Sequence, residues 1–391
     1  MNLHEAIRTT ERGDRLSMEA ALVLYEQADL TTLGQLAQTA RFRLNPHQVV
    51  TYAVDRNINY TNVCTSKCRF CAFWRDSTDP EAFVLSDEAL AAKLEETKAL
   101  GGTHVLFQGG LNPDLDLEWH AQRIRLIRSF GLELHGYSPP EIHYFAERAS
   151  SPLEQVLERL IAAGLNSIPG GGGEILSDRI RRLVSPGKAN SSQWLSVMEA
   201  AHRLGLRTTA TMMFGHIETP SQRVLHLIRL RSLQDRTSGF TAFIPWPFQP
   251  GKNTIQVKRA GSTAYLRMLA VSRLVLDNFT HVQASWVTQG PAIGQVALLF
   301  GADDLGSTMI EENVVAAAGV SHKLDCAEMI RLIEDAGFEA RQRDNLHRAI
   351  SPRTAPAQGL PGETLLKKGC PPDPLPKTFG TLGGSADVPS S

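Results

Sequence analysis

From about residue 50 onward, short apolar runs, each closed by Gly, Pro or polar residues, alternate with stretches whose apolar residues recur at helical spacing. This is the rhythm of βα units, and it predicts a parallel sheet covered by helices. The clearest helix spans 151–163. Leu153, Val156, Leu157, Leu160 and Ile161 form one stripe and Gly164 supplies a stop, while Ser151 is suited to cap, Pro152 to the first turn and Glu154 to complete a capping box. Similar helices are expected after residue 86, around 117–130, after 191, after 220 and over 262–278. Candidate strands lie at 52–58, 104–108, 133–137, 165–168, 207–213, 240–246, 282–287 and 296–300. Eight short strands with polar or Gly/Pro ends predict a TIM-type (βα)8 barrel, complete or partial, whose C-terminal loops build a site. An open doubly wound sheet is the main rival, but the glycine fingerprint at a first βα turn is absent.

The chain has 391 residues, 42% of them hydrophobic, with 40 Lys and Arg against 41 Asp and Glu. It is long enough to bury a large core, and its balanced charge gives no broad reason to bind nucleic acid or anionic lipid. Residues 1–15 mix charges without an apolar stretch, and no apolar run is long enough to cross a bilayer. A cytoplasmic protein that binds neither nucleic acid nor membrane is expected. Residues 1–49 read as a small helical segment and 50–345 as the barrel domain with a C-terminal elaboration. Residues 346–391 read as a disordered, flexible tail, since 351–391 alone carries eight prolines and six glycines.

Three of the five cysteines fall within eight positions, Cys64-Thr65-Ser66-Lys67-Cys68-Arg69-Phe70-Cys71. Structural zinc needs four ligands, and the fourth is missing locally, because Cys326 and Cys370 lie far downstream with no paired half-site. An odd count with three crowded members also argues against disulfides. Three thiolates suit three corners of a four-iron, four-sulfur cluster (4Fe–4S) whose fourth iron stays open for another ligand.

The spacing of Cys64, Cys68 and Cys71, the aromatic Phe70 and the position after the first barrel strand resemble the radical S-adenosylmethionine (radical SAM) superfamily. The resemblance implies a cluster that binds S-adenosylmethionine at its open iron and yields a 5′-deoxyadenosyl radical, fed by an external low-potential electron donor such as flavodoxin or ferredoxin. It also implies cofactor contacts from Phe70 near the adenine, from Gln108-Gly109-Gly110, from Glu174 to ribose hydroxyls, from Gly215 on the adenine side and from Ile244. The glycine turn departs from the usual pattern by beginning with Gln108 and lacking the acidic end. The run Pro169-Gly170-Gly171-Gly172-Gly173-Glu174 needs a structural or functional reason, since four glycines raise the entropy lost on folding.

Longer stretches narrow the resemblance. Residues 57–63, Cys71-Ala72-Phe73, residues 138–142, residues 285–290 and Glu311-Glu312-Asn313 are similar to the cyclic dehypoxanthinyl futalosine synthase family of the futalosine route to menaquinone. That family's reaction implies dehypoxanthine futalosine as substrate, hydrogen abstraction at the ribose-derived C4′ and radical addition to the benzoate ring, so a base is needed. His135, Glu141, Glu174 and His216 are candidates, each also explicable as an ordinary wall or loop residue. Trp246 and Trp286 suit a substrate pocket, and Thr288 and Gln289 suit the benzoate carboxylate. Aminofutalosine synthase is the nearest rival reading. A non-catalytic metal-binding or nucleic-acid module is the rival of another class.

Overall fold

The computed structural model describes residues 1–251, 253–320 and 322–350. Three helices, Leu3–Arg12, Met18–Gln27 and Leu30–Leu44, lead the chain, capped by Asn2, Ser17 and Asp29, each of whose side chains accepts a hydrogen bond from an N–H of the first turn. The strands follow as β1 (Val49–Ala53), β2 (Asp55–Asn59), β3 (His104–Gln108), β4 (Glu133–Gly136), β5 (Ser167–Ile168), β6 (Arg207–Phe214), β7 (Phe240–Pro247), β8 (His281–Val282), β9 (Asp304–Ser307) and β10 (Glu339–Gln342). Strands β2 to β8 form a seven-stranded parallel sheet in sequence order.

Strand β9 closes this sheet into a barrel. On one side Ala284 N donates to Asp304 O and Asp303 N to Val282 O, while on the other β9 pairs with β1 and Ile310 N donates to Asp55 O. The chain breaks its extended run only at Val54, between β1 and β2, and β10 lies outside the ring against β1. The architecture is the (βα)8 barrel expected from the alternation.

Two strand expectations fail in an instructive way. Residues 296–300 do not form a strand, because Gly290-Pro291 opens a helix, Pro291–Ala297, and 298–300 continue in turn conformation. A short apolar run fits a buried helix as well as a strand, and the proline at the first helical position decided for the helix. The eighth stave is Asp304-Leu305-Gly306-Ser307, a polar segment without the alternation that marks a strand. Of 282–287, only Val282 falls in a strand, the two-residue β8, and Trp286–Gln289 coils into one helical turn. The helix at 151–163 also begins later than its cap signals suggest. It spans Leu153–Ala163 with Pro152 at the cap position, and Ser151 Oγ donates to the Ala149 carbonyl instead.

The segment after β10 enters the barrel from the N-terminal ends of the strands. Arg343 forms a bidentate pair with Asp304, Asn345 Nδ2 donates to Ser167 Oγ, and the His347 ring stacks on His281 with centroids 4.3 Å apart. The tail expected from residue 346 therefore begins with residues 346–350 packed beneath the barrel, Ile350 N donating to Gln342 O. Residues 351–391, including Cys370, lie outside the described residues.

Arg343 and Asp304 are both buried, so removing the cation leaves an uncompensated carboxylate. Arg343→Met is expected to cost about 3–5 kcal/mol, read as a fall in denaturant midpoint at unchanged slope. A shift below about 0.5 kcal/mol would show that the pair is not holding the barrel floor.

Candidate active site

The cysteine loop leaves the C-terminal end of β2 and is laced to its neighbours at several points. Thr65 N donates to Leu111 O, Ser66 Oγ to Gly187 O (2.8 Å), Arg69 N to Val184 O (2.8 Å) and Thr254 N to Arg69 O (2.9 Å). These bonds hold Cys64, Cys68 and Cys71 within electrostatic range of one another. Burial pushes the Cys68 thiol up to about 12, against the pull of Lys188, and raises Cys71 as well. Such thiols give up their protons when iron takes their place.

Beneath the loop sits a buried knot. Glu141 Oε1 accepts from Tyr60 Oη (2.7 Å) and from Gly109 N (3.0 Å), and Oε2 accepts from Ser138 N and Oγ. Burial raises the Glu141 carboxyl, with these four donors opposing the shift. Both oxygens are occupied, so Glu141 is a positioning residue and leaves the list of bases. Gly109 and Gly110 are glycines because the cysteine loop is against them: a Cβ would lie 2.6 Å from the Tyr60 ring at the first and 2.1 Å from the Val63 carbonyl oxygen at the second. Leu111 N, next in the turn, points at Cys64 Sγ at 3.3 Å.

The four-glycine run is spent on close packing. A Cβ on Gly170 would meet Ala210 Cα at 2.6 Å, one on Gly171 would meet the Gln108 amide at 2.5 Å, and one on Gly172, at φ +74°, would meet Pro140 at 2.4 Å. Carbonyls thus brought inward accept from Arg181 and Trp194. Glu174 follows at φ +34°, a conformation that side chains rarely adopt and that clusters at functional sites. Its Oε1 accepts from Lys188 Nζ at 3.0 Å. Oε2 is buried without a hydrogen bond, 3.5 Å from Arg181 Nη1. Burial works against charge on Lys188, but Glu174 and Cys68 outweigh it and hold its pKa above the ordinary lysine range. The same ammonium lies 5.4 Å from the centre of the half-buried Phe70 ring.

Below this level a cavity of about 290 Å³ occupies the barrel. Gln108, His135, Glu174, Ile244, Trp246, Trp286 and Thr288 line it, bringing together much of the expected site. Gln289 does not line it. Its Nε2 donates to the Thr288 carbonyl at 3.3 Å, and of the two residues expected at the benzoate carboxylate only Thr288 lines the cavity. His216 is also set apart: its ring is buried between the Met213 carbonyl, 3.2 Å from Nε2, and Glu218, 3.1 Å from Nδ1. Gly215, at φ +84°, makes the tight turn in which Glu218 accepts from the N–H groups of Gly215 and His216.

Several lining residues escaped the sequence reading, among them Asp55, Asn57, His104, Arg343 and Asn345. The signal was available for two of them. Asp55, Asn57 and Asn59 alternate along β2 and so share one face, which points into the barrel.

Comparison with known proteins agrees with this geometry. Residues 58–229 match the family model "Radical SAM superfamily", and residues 237–356 match "CofH/MqnC C-terminal region". The chain belongs to the radical SAM superfamily. Within it, the chain is 42% identical to a cyclic dehypoxanthine futalosine synthase of Halalkalibacterium halodurans over 90% of its own length and 95% of the relative's. It is 40% identical to another of that name from Streptomyces coelicolor, over 88% of both chains. A 5-amino-6-(D-ribitylamino)uracil–L-tyrosine 4-hydroxyphenyl transferase of Methanoculleus marisnigri is 40% identical over 87% of this chain and 96% of its own. Among solved structures, methylornithine synthase aligns with a TM-score of 0.68 at 16% identity, covering 86% of this chain and 97% of its own, a likeness of fold.

Radical SAM family membership implies a 4Fe–4S cluster and S-adenosylmethionine, and the residues present fit both. The thiol trio gathers at the strand ends, a backbone N–H already faces one sulfur, and Glu174 Oε2 is a buried acceptor without a donor. Among the described residues no helix is long and apolar enough to cross a membrane.

Gly110→Ala should displace the Val63 carbonyl and with it Cys64. After anaerobic reconstitution, bound iron is expected to fall at least severalfold, as in Cys64→Ala, while Cys326→Ala, on the helix Cys326–Asp335, keeps its iron. Full iron in the Gly110 variant would refute the close-packing role.

Proposed function

We propose that the protein is a radical SAM cyclase that converts dehypoxanthine futalosine into its cyclic form, joining the ribose-derived ring to the benzoate ring on the route to menaquinone. The observation that carries this reading is the 42% identity, over nine-tenths of the chain, to a relative of that name. When bound, the cluster and S-adenosylmethionine supply a primary carbon radical that removes one hydrogen atom from the substrate. An external low-potential donor of flavodoxin or ferredoxin type supplies the electron.

The chain's own residues then have definable work. Cys64, Cys68 and Cys71 hold three irons, and Glu174 Oε2 accepts from a ribose hydroxyl of the adenosyl group, with Lys188 and Arg181 fixing the carboxylate. Gln108 and Ile244 bound the cofactor end of the cavity, and the Phe70 ring, beside the Lys188 ammonium, lies near the adenine. Trp246 and Trp286 wall the aromatic part of the substrate, the indole of Trp286 being fixed by its hydrogen bond to the Ser307 carbonyl at 3.1 Å. Thr288, whose hydroxyl is 2.8 Å from Ser285 Oγ, offers a polar contact for the carboxylate. A reactive radical attacks almost any C–H bond, so this enclosure has to fix one target hydrogen and exclude competing reactants.

An anaerobic assay with a strong reductant, S-adenosylmethionine and dehypoxanthine futalosine is expected to yield free 5′-deoxyadenosine and a product lighter than the substrate by two hydrogen atoms. Incorporation of the adenosyl group into an enolpyruvyl substrate would assign the chain to aminofutalosine synthase instead. Turnover only with tyrosine and the ribitylaminouracil would assign it to the hydroxyphenyl transferases. Glu174→Gln is expected to weaken S-adenosylmethionine binding about tenfold by calorimetry on the reconstituted protein. Unchanged affinity would remove Glu174 from the cofactor site.

A further inference from the structure

Of the expected bases, His135 alone lines the cavity as a histidine on a strand, and its surroundings define its protonation. Its Nδ1 lies 2.6 Å from Ser167 Oγ, on the neighbouring strand β5. Ser167 Oγ is itself 2.6 Å from Asn345 Nδ2. An amide nitrogen only donates, so Ser167 accepts from Asn345 and directs its single hydroxyl proton to the remaining partner, the His135 Nδ1 lone pair. A neutral ring that accepts at Nδ1 carries its proton on Nε2.

The other ring nitrogen is loosely engaged. Nε2 is 3.5 Å from Thr209 Oγ1, at the limit of hydrogen bonding, so the 2.6 Å contact at Nδ1 decides which nitrogen accepts. Charged and titratable groups surround the ring from several elements: Asp55 on β2, His104 on β3, and Arg343 and His347 from the segment beneath the barrel. Burial pulls the His135 pKa down to about 3, with His104 and Arg343 acting the same way and Asp55 against them. The ring is therefore neutral throughout the physiological range.

We infer that Asn345 and Ser167 fix His135 as an Nε2–H donor to an oxygen of the bound substrate, and that His135 is not the base of the ring closure. This inference rests on the cyclase reading for the identity of the substrate. The arrangement itself is a property of the free protein. His135, Ser167 and Asn345 come from β4, β5 and the final described segment, so the donor exists only when the segment after β10 is seated beneath the barrel.

The tautomer is directly observable. Long-range proton–nitrogen correlation spectra of the cluster-loaded, diamagnetic oxidised protein, labelled with nitrogen-15 histidine, are expected to show an Nε2–H pattern at pH 7 for the resonance that disappears in His135→Gln. Ser167→Ala should convert it to a mixture of tautomers. An Nδ1–H or doubly protonated pattern would overturn the inference. In the assay, His135→Gln keeps an N–H donor and is expected to retain activity within about tenfold, whereas His135→Ala loses more. Asn345→Ala is expected to raise KM severalfold with little change in kcat, and equal inactivation by Gln and Ala at His135 would restore the base role. If the cyclase reading itself were wrong, the unaltered enzyme would fail to turn over dehypoxanthine futalosine while the tautomer pattern stood unchanged.

Discussion

Three strand ends meet at the carboxylate of Glu141, and the site is arranged around that meeting. The Tyr60 hydroxyl reaches it from the end of β2, the Gly109 N–H from the turn after β3, and the Ser138 cap from the helix after β4. A buried carboxylate is costly unless its acceptor capacity is filled, and here four donors fill it. The cysteine loop, the glycine turn and the first turn of the helix Pro139–Ala149 therefore cannot shift independently. Gly109 and Gly110 are small because Tyr60 and Val63 occupy the space beside them. The glycine turn thus braces the loop that carries Cys64, Cys68 and Cys71.

A second balance governs the barrel interior. Its mouth is walled by Trp246, Trp286 and Ile244, while its floor is built from charged and polar groups. Arg343 neutralises Asp304, and His104 meets Asp55 at 3.3 Å. Buried charges are tolerated when paired and hydrogen-bonded, and pairing lets the floor present fixed dipoles without a free charge. The proposed chemistry asks for an apolar mouth that excludes water and a polar floor that orients the substrate. Both demands are met in one cavity because the strands alternate inward and outward residues.

The alternation of apolar runs and helical stripes announced the barrel, and the crowding of Cys64, Cys68 and Cys71 pointed to the superfamily, because both depend on neighbours in sequence. The last stave was not legible. Asp304–Ser307 is a strand through its hydrogen bonds to β1 and β8, and its residues carry no apolar alternation. His216 and Gln289 illustrate the converse, since both lie in segments that reach the site yet neither lines the cavity. Spacing along a chain places a residue near a strand end but does not fix the direction of its side chain.

The sequence by itself determined the element rhythm, the crowding of three cysteines and the superfamily, each set by residues within a few positions of one another. The tertiary structure alone decided which groups share the cavity. Arg343, Asn345 and His347 lie at the far end of the described chain from Asp55, and the segment after β10 brings them beneath β4 and β5. Contacts so distant in sequence arise from barrel closure, whose energy depends on how the staves pair and pack, and no local pattern of residues encodes that.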